Sequence, residues 1–222
     1  MNLGDLIQEF RIEADDNQDP PLFSENEART WANQGYKEVC RRTHELTDST
    51  TTSICQITTV PGQAEYAIDP KVIFILRVAN TSKSNRILPP VKFETMDMFE
   101  HNWESRTGEP KAYVVGMNNR KITLTPTPTE AHVLKVSVAR LPLVDLESPS
   151  DVPEIKEEYH QGIVNWMLYR GFSKKDAEVE DKELARAALR AFEEEFGTRE
   201  QANAALEVMR LKQTYHPNSG AY

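Results

Sequence analysis

The run Val72-Ile73-Phe74-Ile75-Leu76-Arg77-Val78 is the longest apolar stretch of the 222-residue chain, and Arg77 interrupts it after Leu76. Its β-branched content and short length mark a buried strand. It falls far short of the ~20 apolar residues of a membrane span. Upstream, Ile54 to Val60 reads as a strand, Pro61-Gly62 suits the centre of a type II turn, and Tyr66 and Ile68 continue the pattern. Downstream, Asn80 to Asn85 is a turn and Arg86 to Leu88 a short strand. Phe93, Met96 and Phe99 suggest a brief helix. Ala112 to Val115 and Lys121 to Thr125 flank a hairpin turn at Gly116-Met117-Asn118-Asn119. His132 to Leu141 closes the set, with Leu134, Val136 and Val138 alternating against Val133, Lys135, Ser137 and Ala139. Such short strands predict a small antiparallel sandwich or barrel.

On both sides of this region the apolar period lengthens to that of a helix. Leu3, Leu6, Ile7 and Phe10 share one face, with Asn2 as N-cap. Pro20-Pro21 excludes helix from the following polar stretch. Ser24-Glu25-Asn26-Glu27 is a capping box opening a helix that carries Ala28, Trp31, Ala32, Gly35, Val39 and Cys40, and that should end near Leu46. After the β region, Pro153 fits a first helical position. Ile155, Tyr159, Ile163, Trp166 and Met167 line one face, and Gly171 is the stop. Ser173 opens the next helix, Gly197 ends it, and Thr198-Arg199-Glu200-Gln201 caps a last one. The expected fold is α+β: residues 1–49 and 151–213 form a helical bundle, residues 50–150 an inserted β domain, and residues 214–222 an extended arm.

Charge narrows the function. The net charge of −9 divides into −6 over residues 1–49, +1 over 50–150 and −4 over 151–222. No segment has the dense Lys/Arg cluster that neutralises phosphates. The N-terminus lacks the basic start and apolar core of a signal peptide, so the chain is expected in a cytoplasm. Cys40 and Cys55 then read as buried small hydrophobes.

No catalytic constellation is legible. The five histidines, His44, His101, His132, His160 and His216, show no i, i+4 pair. No nucleophile elbow or phosphate loop occurs. Asp15-Asp16-Asn17-Gln18-Asp19 lacks the glycine and the bidentate Glu of a calcium loop, and Glu193-Glu194-Glu195 reads as a solvated face. No catalytic residue, metal ligand or cofactor is therefore expected. Trp103, in a polar stretch, is an interface candidate, with a local core as the alternative. Tyr215, His216, Pro217 and Tyr222 are unusual in a solvating tail and suit binding in an extended form, a frayed terminus being the alternative.

Several phrases in order resemble the head-to-tail adaptor (connector) proteins of tailed bacteriophages. They are Trp31 to Val39 with Arg41-Arg42; Trp103 to Tyr113, with its Gly108-Glu109-Pro110; and Ile122-Thr123-Leu124-Thr125-Pro126-Thr127-Pro128. Leu141-Pro142-Leu143, Pro153 to Ile155, Trp166 to Arg170, and Phe192 to Gly197 continue the likeness. It covers about Leu3 to Gly197, and the order carries it, since each phrase alone is common. The resemblance implies a structural, non-enzymatic virion protein at the head-tail junction, assembled in the host cytoplasm. It implies a ring of usually twelve copies that docks on the portal protein, extends the DNA channel and receives the tail proteins. DNA would pass without sequence-specific binding, and no membrane would be involved. Tyr215, His216, Pro217 and Tyr222 would then lie on an arm reaching the portal. The alternative reading is a tail tube or tail-completion protein.

Overall fold

The computed structural model describes residues 1–175 and 180–213. Helices α1 (Leu3–Glu13) and α2 (Glu25–Thr43) come first. The middle runs through β1 (Thr47–Asp48), the helical turn α3 (Thr52–Cys55), β2 (Gln56–Thr58), β3 (Glu65–Ala67), β4 (Val72–Asn80), β5 (Arg86–Leu88) and β6 (Pro90–Lys92). It continues through α4 (Phe93–Phe99), β7 (Thr107–Gly108), β8 (Ala112–Val115), β9 (Lys121–Thr125), β10 (Thr127–Pro128) and β11 (Val133–Arg140). Helices α5 (His160–Phe172), α6 (Lys182–Phe196) and α7 (Arg199–Gln213) follow. The result is α+β, with N- and C-terminal helices on either side of a β-rich middle. Two compact units emerge: Met1–Leu46 with Leu141–Asn203, and Thr47–Arg140 with the chain from Ala204 on.

In the helical unit, both expected caps at the start form. Asn2 and Asp5 exchange side-chain and backbone hydrogen bonds at α1, and Ser24 and Glu27 do the same at α2. Such caps satisfy amides that the helix leaves orphaned, at about 1 kcal/mol each. The polar stretch between α1 and α2 still contributes to the core. Asp16 is fully buried and accepts the amides of Leu22 (2.6 Å) and Phe23 (3.1 Å). That hold turns Phe23 inward onto Phe10 and Trp31, with ring centroids 5.3–5.9 Å apart. Glycine sets how closely the helices cross. A Cβ at Gly35 would stand 3.0 Å from the Trp166 side chain, and one at Gly162 would overlap the Phe196 ring.

In the β unit, β11 is the central strand. It pairs antiparallel with β1, β2 and β4, and β5 lies beyond β4. Its inward residues Leu134, Val136 and Val138 are buried, as the alternation predicts. The second sheet has the order β3-β9-β8-β6. Strands β5 and β6 are nearly continuous, yet one lies in each sheet. Pro89-Pro90 stands at the change, where two missing amide donors break the ladder. The Val60–Gln63 turn has the expected geometry: Gln63 N–H donates to the Val60 carbonyl at 3.1 Å, and Gly62 has φ +80°. The Tyr66 hydroxyl accepts from Val60 N–H and donates to the Gln63 carbonyl, stapling this turn.

Several expectations need correction. Among the described residues the sheets stay open, and no closed barrel forms. Two pairings, β6 with β8 and β7 with β10, are parallel. Ile54 belongs to α3, not to a strand, because the Thr51 carbonyl collects the amides of Ile54 and Cys55 in a helical turn. Helix α2 stops at Thr43, where His44 takes a left-handed cap (φ 54°). Pro153 does not start a helix. The Glu154 N–H donates to the Tyr36 hydroxyl at 2.6 Å and its carboxylate accepts the Leu143 amide, so tertiary partners hold this stretch out of helical form. Gly171 lies inside α5, where a Cβ would press on Phe10 and Phe23. Ser173 caps the end of α5, and α6 begins at Asp181, whose carboxylate accepts the amides of Glu183 and Leu184. Part of the helix expected from Ser173 onward, residues 176–179, lies outside the described residues.

The buried Asp48–Arg140 pair ties β1 to the end of β11 at 2.8 Å. Burial would raise the Asp48 carboxyl. The Thr51 hydroxyl, the Thr50 and Thr51 amides and the Arg140 guanidinium outweigh it and hold the group well below the usual carboxylate range. Asp48→Ala should therefore cost about 3 kcal/mol, because it removes the buried carboxylate that the Arg140 guanidinium and the Thr50 and Thr51 amides share. Denaturant titration measures this. A depressed carboxyl gives stability that is present above its unfolded pKa and lost as pH falls below about 4. The variant should accordingly lose less stability than the parent over that acid range. Gly162→Ala should cost about 1–3 kcal/mol by displacing Phe196, read as a lowered Tm.

Candidate interaction surfaces

The charged clusters of the helical unit are structural fasteners. Glu38 is nearly enclosed, and its carboxylate receives Arg199 at 2.6 Å, Arg41 at 2.8 Å and Arg42 at 3.6 Å. Burial opposes its ionisation, but Arg199 and Arg41 prevail and keep its pKa low. Arg42 also reaches the Gly197 carbonyl and lies over the Phe192 ring. The cluster thus pins the α6–α7 junction to α2. In the middle of α2, Asn33 exchanges hydrogen bonds with the backbone of Leu146, and Lys37 pairs with Asp145 at 2.6 Å. These contacts fix the loop before α5 and present Val144 and Val152 to solvent, 73% and 62% exposed.

In the β unit, Trp103 has a different setting from an open surface. It is 4% exposed and packs with Val91, Met96 and Val114, while Phe93 and Ala112 flank the cluster. Its indole N–H donates to Asp97 at 2.9 Å. The local-core alternative describes this isolated chain, in which the ring has no surface to offer. What the cluster does offer is the far side of α4. Phe93 and Met96 face inward, and so Met98 and Phe99 face out, 75% and 52% exposed. A helix of seven residues cannot bury its whole circumference against one cluster. Ile87 on β5 is also exposed.

The remaining candidates, Tyr215, His216, Pro217 and Tyr222, lie outside the described residues. Sequence reading missed Met98 and Phe99. Phe99 enters the sequence reading only as part of a brief helix with Phe93 and Met96, and Met98 gives no signal because one apolar residue beside a stripe is ordinary. It also missed the Glu38 and Asp48 clusters, each of which is completed by an arginine, Arg199 and Arg140, 161 and 92 residues away. Among the described residues, no three His, Cys, Asp or Glu side chains are placed to hold a metal ion. Among the same residues, no helix is long and apolar enough to cross a membrane.

No curated protein matches the chain. The profile of the SU10 adaptor protein family matches residues 1–212. That span takes in both units and nearly all of α7, so it concerns the whole architecture and not one motif. The chain belongs to the SU10 adaptor protein family, a family of bacteriophage structural adaptors.

Proposed function

We propose that this protein assembles as a ring at the head-tail junction of a tailed phage. The ring docks on the portal, prolongs the DNA channel and receives the tail. Twelve copies is the expected number. The observation that carries this reading is the family match over residues 1–212, which includes both the helical and the β unit.

Physical features support it. A ring subunit must bury apolar surface against its neighbours, and the Met98–Phe99 pair and the Val144 and Val152 side chains are available. Burying one such side chain fully contributes about 1.5–3 kcal/mol, so a few per contact, repeated around a closed ring, suffice for assembly. The net charge of −9 with no cationic cluster suits a passage along which a polyanion must slide without sticking. Residues 214–222 supply an arm toward the portal, with Tyr215, His216, Pro217 and Tyr222 as its contacts. Trp103 serves indirectly, holding α4 so that its outer face meets the neighbour.

Native mass spectrometry and electron microscopy with portal present should show rings of this chain, and persistence as a monomer would contradict the proposal. Met98→Glu with Phe99→Glu should reduce ring assembly at least about 10-fold, given the burial energies above. Because both side chains are exposed, the monomer's Tm should change little. Deleting residues 214–222 should weaken portal docking and leave the monomer folded. Unchanged docking would remove the arm from the account.

A further inference from the structure

The sheet built on β11 turns one face to solvent. Leu134, Val136 and Val138 are buried, so Lys135 and Ser137 point to the other side. The register sets Arg77 opposite Ser137, and it sets Gln56, Lys135, Ala79 and Ile87 in one row across four strands. Arg77, Lys135 and Gln56 are exposed, and Ile87 is 49% exposed. Arg77 and Lys135 are diagonal neighbours, roughly 7 Å apart. Among the described residues neither has a carboxylate partner. None of the strand residues named on this face is acidic.

Charge identifies what such a face attracts. The helical unit, residues 1–46 and 141–203, carries 25 acidic and 13 basic groups, net −12. The β unit, residues 47–140 and 204–222, carries 10 acidic and 13 basic groups, net +3. The two units of one chain thus have opposite sign, and each copy presents a surface complementary to another copy's. Helix α1 supplies a matching row. Asp5, Glu9 and Glu13 recur every fourth residue, away from the buried Leu3, Leu6 and Phe10. Successive members are about 6 Å apart along the axis. Glu9 has no partner among the described residues, Glu13 accepts only the Gln161 amide, and Ile12 beside them is 53% exposed. Two cations are too few to hold a nucleic-acid backbone. Two cations and an isoleucine do match two carboxylates and an isoleucine at similar spacing.

We propose that the sheet face carrying Arg77, Lys135 and Ile87 in one copy receives helix α1 of a second copy, with Glu9 and Glu13 on the cations and Ile12 against Ile87. The inference rests on the reading of this chain as a ring subunit and names two of the faces that meet. Those faces differ, so the contact is heterologous: each copy gives its α1 to one neighbour and its sheet to the other, which is the arrangement that closes into a ring. Exposed ion pairs contribute little energy one by one. Their effect here is selection. Sheet against sheet and α1 against α1 both set like charges together, so only the head-to-tail pairing is electrostatically favourable. Association through these faces is therefore faster and tighter at low salt.

The test uses two variants of the full chain, one with Arg77→Glu and Lys135→Glu, the other with Glu9→Lys and Glu13→Lys. All four side chains are at least partly exposed, so each monomer should keep the parent's Tm. Self-association is measured by sedimentation at low salt, without portal. Each variant alone should associate at least about 10-fold more weakly than the parent, because like charges then meet. An equimolar mixture should recover the parent's association, since every contact between alternating copies again joins opposite charges. Parent-like association of either variant alone would overturn the proposal, as would a mixture no better than its components, or a parent and mixture that do not associate at all. Electron microscopy of the same samples separates the two readings. Closed rings from parent and variants alike would remove this contact and keep the ring. A mixture that recovers association as open chains would keep the contact and count against the ring.

Discussion

The pairing of Thr47 and Asp48 with Ala139 and Val138 is the constraint on which this architecture rests. The chain leaves the helical unit after Leu46 and comes back to it at Leu141. Ninety-four residues in between can fold as a separate unit only if their two ends are brought side by side. The β1–β11 pairing does this with two residue pairs, and the Asp48–Arg140 ion pair fixes it from within. A two-residue strand has too few ladder bonds to persist alone. Its stability comes from the carboxylate, which gathers Thr50, Thr51 and Arg140 around the stem. Desolvation works against that carboxylate, and five hydrogen bonds overcome it. The ion pair thus links a local turn to the topology of the whole chain.

A similar economy appears in the helical unit. Glu38 accepts from arginines of two segments far apart in sequence, and Asp16 accepts two amides to hold Phe23 in the core. Each is a buried carboxylate that organises backbone or guanidinium donors. Removing such a group leaves its donors unpaired, which costs more than the pair itself contributes. Clustered acidic and basic residues here therefore position helices and loops, and Met98, Phe99, Val144 and Val152 are among the apolar side chains left exposed.

Much of the fold was legible in the chain's periodicities. The change from a helical to a two-residue period located the β-rich middle. The caps at Asn2, Ser24, Gly197 and Thr198 located helix ends, because each is a local hydrogen-bond or backbone preference written into three or four adjacent residues. What failed depended on distant partners. Pro153 suits a helix start, but Tyr36 captures the next amide. Gly171 suits a helix stop, but its lack of a side chain serves packing against Phe10 and Phe23. The interaction surface was less legible still. Exposure is decided by the whole fold, and Trp103, the most conspicuous residue, turned out to support Met98 and Phe99 from beneath.

The Pro89-Pro90 junction between β5 and β6 also limits how the sheets can associate. Each sheet ends at this segment, β5 being the outer strand of one and β6 of the other. A free strand edge ordinarily invites another chain to extend the ladder, and runaway stacking follows. Here two consecutive imino residues leave that border without amide donors at its centre. Another chain therefore finds few donors with which to extend either ladder across this border.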